Sequence, residues 1–259
     1  MSDFAITWYP VPGRRVRRRT GDPGLWLSVL AAAGWLFLVA HPLLVGAHSN
    51  VSLGHHADHA HADPTSSGGW AWATGMGMWA AMVAATMLPL IASSVRFAAL
   101  RSPQRHRFDA TVHVVAGWAA VWAATAALLW LGTTFLRELA GPTGALVVTF
   151  GAALVWQCTR CKRVRVARCH RTLAPPLDRR AARRACRRFG VGLGVDCAGS
   201  CWAVMAAMAV AGHTLMVAVP LAWVSWFERR RPHHDPPAWE TVTVVAVTAA
   251  AALLTTGVA

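Results

Sequence analysis

Seven apolar runs, parted by short polar or strongly basic stretches, organise the chain. They cover about 25–46, 70–98, 111–135, 144–158, 192–211, 214–228 and 239–258. A helix that spans a bilayer needs about 20 mostly apolar residues, so the fourth and sixth runs are short. The stretch 192–228 is too long for one helix. It divides at Ala211-Gly212-His213-Thr214, where glycine permits a tight turn. The pattern predicts an all-α, polytopic transmembrane helix bundle of about seven spans.

Composition agrees. Of 259 residues 55% are hydrophobic and only 14% charged, against roughly 25% charged in soluble domains. The net charge of +14 brings nucleic acid to mind, but the placement of the charge points elsewhere. In a seven-span arrangement 24 of the 25 Lys and Arg residues fall on one side, and only Arg137 on the other. Basic residues mark the cytoplasmic side of a membrane protein. The N-terminus is therefore expected in the cytoplasm and the C-terminus outside, in the plasma (inner) membrane. A six-span arrangement would strand Arg229, Arg230 and Arg231 on the outer face.

The expected organisation is a basic cytoplasmic segment, 1–24, and one transmembrane domain, 25–258. Within that domain lie a His-rich outer loop, 47–68, and an Arg-rich cytoplasmic loop, 159–191. "VGA" before His48 resembles a signal-peptide cleavage site, but the apolar core before it is long, and we read it as an uncleaved first span. The Arg-rich loop suits orientation and contact with anionic lipids. It lacks the interleaved aromatics that stack on nucleic acid, so no nucleic-acid partner is expected.

Candidate chemistry begins in the outer loop. His48, His55, His56, His59 and His61 fall within fourteen residues, beside Asp58 and Asp63. Neutral imidazole binds zinc, copper and nickel, and a dense, flexible His tract captures metal loosely. The alternative is a solvated connector. His41, at the outer end of the first span, could extend a route inward, or serve as a core histidine.

A second set is sulfur. On a helix at about 100° per residue, Cys197, Cys201, Met205 and Met208 share one narrow stripe, about 16 Å long. On the second span Met78 and Met82 share a face, with Met76 and Met87 roughly opposite. Thiolates and thioethers favour soft ions, Cu(I) above all. Cysteine and methionine also pack well between helices, which is the alternative.

"MWAAMVAATMLP" (Met78 to Pro89) and "CAGSCWAVM" (Cys197 to Met205) together resemble the family of predicted metal-binding integral membrane proteins. That family carries a "MWAVMM-x-AMMLP"-like span and a later "C-x-G-C-C-W-A-L-M"-like span. Gln157, Lys162, Arg163 and Cys169 fit its intervening "Y-Q-x-T-P-L-K-R…C" segment, and Glu228 fits an acidic residue ending its next span. The resemblance covers roughly 70–230 and implies a metal site shared by the two spans. This chain departs from it at Ser200 and Arg165, where the family has cysteines. It departs also at Val83 and Thr86, in place of methionines, and at Leu193, in place of a histidine.

Other residues offer further chemistry. Cys158-x-x-Cys161 with Cys169 and His170 could bind zinc or Cu(I), act as a redox pair, or remain free thiols. Asp196 and Glu228 lie near the cytoplasmic face and are expected to pair with Arg187, Arg188 or Arg229. No Walker A, HExxH or GxSxG sequence occurs, so nothing in the chain supplies an ATP-driven pump.

The expectation is a membrane protein that captures, relays or delivers copper, with zinc as the alternative metal. His55, His56, His59 and His61 would capture. Met78, Met82, Met205 and Met208 would hold the ion, and Cys197 and Cys201 would receive it nearer the cytoplasm. A metal carrier or another membrane protein is the expected partner. The rival readings are a metal-dependent membrane oxidoreductase acting on a small or lipid-soluble substrate, and a subunit whose sulfurs only pack.

Overall fold

The computed structural model of the chain describes residues 23–49, 68–212, 214–230 and 239–255. Among them the regular elements are all helical: α1 (Pro23–Ser49), α2 (Gly68–Arg101), α3 (Arg107–Cys158), α4 (Arg160–Arg168), α5 (Arg179–Val210), α6 (Leu215–Arg230) and α7 (Trp239–Thr255), with a 3-10 turn at Gln104–His106. By length and composition, α1, α2, α3 and α5 are long and apolar enough to cross a membrane; α7 is a shorter apolar helix. The basic N-terminal segment and the loop bearing His55, His56, His59 and His61 lie outside the described residues.

The third and fourth apolar runs, expected as separate spans, both lie in α3. The helix is broken at Gly141, whose φ of 71° departs from helical geometry, with Pro142 after it. Pro142 has no N–H to continue the helical ladder, and glycine tolerates the positive φ. The first limb, 107–140, runs parallel to α5. Gly117 sits against Arg187 and Val191, and Gly194 against Trp118 and Val121. Further along, the Arg137 guanidinium donates to the Val210 carbonyl at 2.7 Å. The second limb, 142–158, runs back. Leu146 shares a cavity with Val210, whereas Trp156 meets Trp202 edge-on at 5.5 Å.

The expected division at Gly212 is present. Gly212 has a φ of 70°, α5 ends at Val210, and α6 starts at Leu215.

Close packing of α3 on α5 explains why α5 is buried on nearly every side. A Cβ on Gly190 would lie 2.1 Å from the Val114 carbonyl oxygen, so only glycine lets the two backbones approach this far. Gly190, Gly194, Ala198, Ala203 and Ala207 are all buried. This depth carries the cysteines and methionines of α5 into the centre of the bundle.

The Arg-rich segment, expected as a loop, is largely helical. It forms α4 and the first turns of α5. Thr159 caps α4 by accepting from the Lys162 amide at 3.2 Å. Asp178 caps α5 by accepting from the Ala181 amide at 2.7 Å. Both are side-chain N-caps of the usual kind.

Candidate metal centre

Cys197 and Cys201 sit one turn apart on α5, but they face different helices. The Cys197 thiol is directed at Met87 of α2, with Sγ 3.9 Å from Sδ. The Trp118 indole N–H of α3 is buried without an oxygen or nitrogen acceptor, and it lies beside the Cys197 thiol. Cys201 turns toward α6, 3.9 Å from the Ser225 hydroxyl. Between the cysteines the Ser200 hydroxyl donates to the Cys197 carbonyl at 2.8 Å and lies 3.4 Å from the Cys201 sulfur.

The sulfur pair has useful geometry. A soft ion bonded to both sulfurs at about 2.3 Å would see two donors 3.9 Å apart at an angle of about 115°, close to trigonal. Thiolate and thioether together suit Cu(I).

A frame of cations and carboxylates closes the Arg-rich end of the site. The Lys162 ammonium, buried at 3% exposure, meets the Glu228 carboxylate at 2.7 Å. Arg165 lies across Gly199, where a Cβ would come 2.5 Å from the arginine Cδ. Its guanidinium ends 3.8 Å from the Asp196 carboxylate. Asp196 and Glu228 are therefore paired, but by α4 and not by the expected Arg187, Arg188 or Arg229. These pairs fasten α4 to α5 and α6, across the turn that carries both cysteines.

Cys169 ends α4. Its amide donates to the carbonyls of Arg165 and Val166, both at 3.1 Å, and its side chain is fully buried. Burial pushes the thiol up to about 11, while the adjacent Arg229 guanidinium acts in the other direction. Arg229 also donates to the Leu90 carbonyl of α2, so it bridges α6, α2 and the end of α4.

The methionines divide by depth. Met82, Met205 and Met208 are fully buried in the core, as is Met87; Met76 and Met78 are half-buried against it. Met78, expected beside the α5 sulfurs, lines a cavity of about 880 Å³ at the far end of the bundle with Leu38, His41, Leu146, Val210 and Met216. Met87, expected on the opposite face from the site, is the methionine that meets Cys197. α2 packs against α1, α3, α5 and α6.

The alternative set at the end of α3 is not assembled. Cys158 and Cys161 are exposed, while Cys169 is buried. Cys186 is buried too, with its thiol raised by desolvation and by Asp109. Among the described residues no three His, Cys, Asp or Glu side chains converge as a metal cage.

Sequence reasoning missed four contributors: Met87, Trp118, Ser225 and Arg229. Met87 was visible as the end of the Met-rich motif, but a helical wheel cannot say which of two buried faces meets α5. The others lie on helices whose register against α5 is set by packing alone.

No curated protein and no solved structure matches the chain. One family model does, over residues 76–253, a stretch that holds Met87, Cys169, Cys197, Cys201 and Arg229. The chain belongs to the family described as PpoB2, copper chaperone.

Proposed function

We propose that this chain is an integral membrane protein that takes up Cu(I) at one end of its helix bundle and passes it toward the Arg-rich end, which faces the cytoplasm. The observation that carries the reading is the buried pair Cys197 and Met87, 3.9 Å apart within the matched segment. Cys201 supplies a second thiol one turn along. Large apolar side chains such as Leu36, Leu128, Val155 and Leu254 stand exposed on the outside of the bundle, which suits lipid contact. In this reading the cavity bearing His41 and Met78 receives the ion, and Met82, Met205 and Met208 lie between it and the cysteines. His55, His56, His59 and His61 raise the local metal concentration outside. The family description supports copper handling and offers nothing for a membrane oxidoreductase.

The test is Cu(I) affinity, read by competition with a chromogenic Cu(I) chelator, of detergent-purified protein. Changing Cys197 and Cys201 together to serine should abolish tight Cu(I) binding while the protein stays monodisperse. Full Cu(I) retention in that variant leaves packing as the role of the sulfurs. The four-histidine alanine variant should keep the tight site and lose only capture from dilute copper, an effect that fades in the parent as pH drops below about 6.5.

A further inference from the structure

The α5 helix is longer than the apolar core of a bilayer. Its 32 residues rise about 48 Å, against a hydrocarbon thickness of about 30 Å. It ends at Val210, before the turn at Gly212. Counting back about 20 residues, the length of a span, puts the other edge of the apolar core near Val191. Contacts between helices set the same level. Met87 of α2 meets Cys197, and Met78 shares the far cavity with Val210, so α2 and α5 run antiparallel. Arg96, the first cation of α2, lies nine residues after Met87, and Arg188, the last cation of α5, lies nine residues before Cys197. Two separate helices therefore change from apolar to basic at one depth.

One face of α5 crosses that level unbroken. Arg184, Arg187 and Arg188, then Val191, Val195 and Trp202, fall within about 100° of the helix circumference. All six are exposed. The adjoining face is taken by α3, through Gly190 and Gly194. Asp109 is held by Arg183 and Arg179, and Asp196 by Arg165. Among the described residues no carboxylate meets the three arginines of the exposed face. Arg188 stands about 4.5 Å beyond Val191 along the helix, and Arg184 about 10.5 Å. That is headgroup depth for a side chain as long as arginine.

A partner that fits this face carries negative charge at one end and an apolar body at the other. A soluble acidic protein meets the arginines alone, because Val191, Val195 and Trp202 lie at hydrocarbon depth. A phospholipid meets both parts. Its phosphate oxygens accept from the guanidinium forks, and a chain lies along the apolar strip. We propose that this face of α5 binds an anionic phospholipid, its phosphate among Arg184, Arg187 and Arg188 and an acyl chain along Val191, Val195 and Trp202. The proposal rests on the integral-membrane part of the reading above and not on copper.

The experiment is native mass spectrometry of the detergent-purified full chain, titrated with phosphatidylglycerol or phosphatidylcholine. The parent should retain phosphatidylglycerol in preference to phosphatidylcholine. Changing Arg184, Arg187 and Arg188 together to glutamine should weaken that retention about tenfold or more, the scale of losing three cations beside an anionic headgroup. The same charge removed at Arg160, Arg168 and Arg171, which are also exposed, should leave retention nearly unchanged. Glycerophosphoglycerol, the headgroup without its chains, should not displace the lipid. Size-exclusion chromatography checks folding, and if the first triple variant is not monodisperse, the single variants Arg184→Gln and Arg188→Gln are titrated in its place. Equal losses in the two triple variants would make the attraction a diffuse effect of net charge. Displacement by the free headgroup would make the face a site for small anions, and a parent without preference for phosphatidylglycerol would leave no site at all. Each of these overturns the proposal. A parent chain that washes off membranes at high pH would remove the membrane reading itself, and is seen before any lipid is titrated.

Discussion

The Cys197 and Met87 sulfurs stand 3.9 Å apart although 110 residues separate them in sequence. The contact joins the two motifs of the chain deep between α2 and α5. In the proposed copper reading, Met87 rather than Met78 is the methionine of the tight site. Met87→Leu keeps the volume of the side chain and should disturb the fold by less than about 1.5 kcal/mol. Its Cu(I) affinity should nevertheless fall, while Met78→Leu leaves the tight site intact. Competition titrations on the two variants decide the matter, and equal affinities would move the site elsewhere.

Thiol reactivity should divide the six cysteines in two. Cys158 and Cys161 are exposed; Cys169, Cys186, Cys197 and Cys201 are buried. At neutral pH a maleimide should modify the first pair within the folded protein and spare the other four until denaturant is added. Cys169 is protected twice, by access and by a thiol raised to about 11, since the thiolate is the reactive form. Peptide mass spectrometry reads each site, and early labelling of Cys169 would mean that α4 does not stay docked.

Lys162 and Glu228 form the tightest of the pairs that fasten α4. Lys162→Met leaves the Glu228 carboxylate, only 16% exposed, without its cation. Breaking a buried pair from one side costs about 3–5 kcal/mol. The double variant Lys162→Met with Glu228→Gln should recover much of that loss. Thermal unfolding in detergent measures both, and a single variant as stable as the parent would show the pair to be solvated.

Asp109, at the start of α3, meets Arg183 at 2.7 Å and Arg179 at 3.5 Å. The Arg183 contact chiefly holds its carboxyl below the usual 3.8. A carboxylate lowered in the folded state contributes stability above that ordinary value, and the contribution disappears as pH falls through the lower, folded value. Asp109→Asn should therefore lower the Tm slightly at pH 7 and flatten its fall below about pH 4. An unaltered acid limb would exclude this pair as an acid-sensitive fastening.

Much of the helical scaffold was legible because continuous apolar runs and glycine breaks are local signals. The turn at Gly212 was read directly. Gly141 and Pro142 also lay between two predicted runs, and the limbs on either side are two helices that turn back on each other there. The α4 helix was not legible, since five of its nine residues are Lys or Arg, a composition that reads as a solvated loop. Of its residues Lys162 is the buried one, and its fastening comes from tertiary partners, Glu228 and Asp196, on α6 and α5. For the same reason the acids were assigned the wrong arginines. Of the candidate site, the stripe of α5 cysteines was legible. Their partners were not, because Cys197 and Cys201 look toward different helices.

The bare backbone at Gly199 ties together two positions that are 34 residues apart in the chain. A Cβ there would lie 2.5 Å from Arg165 Cδ, so residues 165 and 199 share one small volume. Their permitted alphabets are coupled: one side chain can grow only as the other shrinks. A cysteine at position 165 would free the space that the arginine stem fills here. Arg165→Cys alone would add a sulfur, discard a cation and open a void over the cysteine-bearing turn, which residue 199 would then be free to fill.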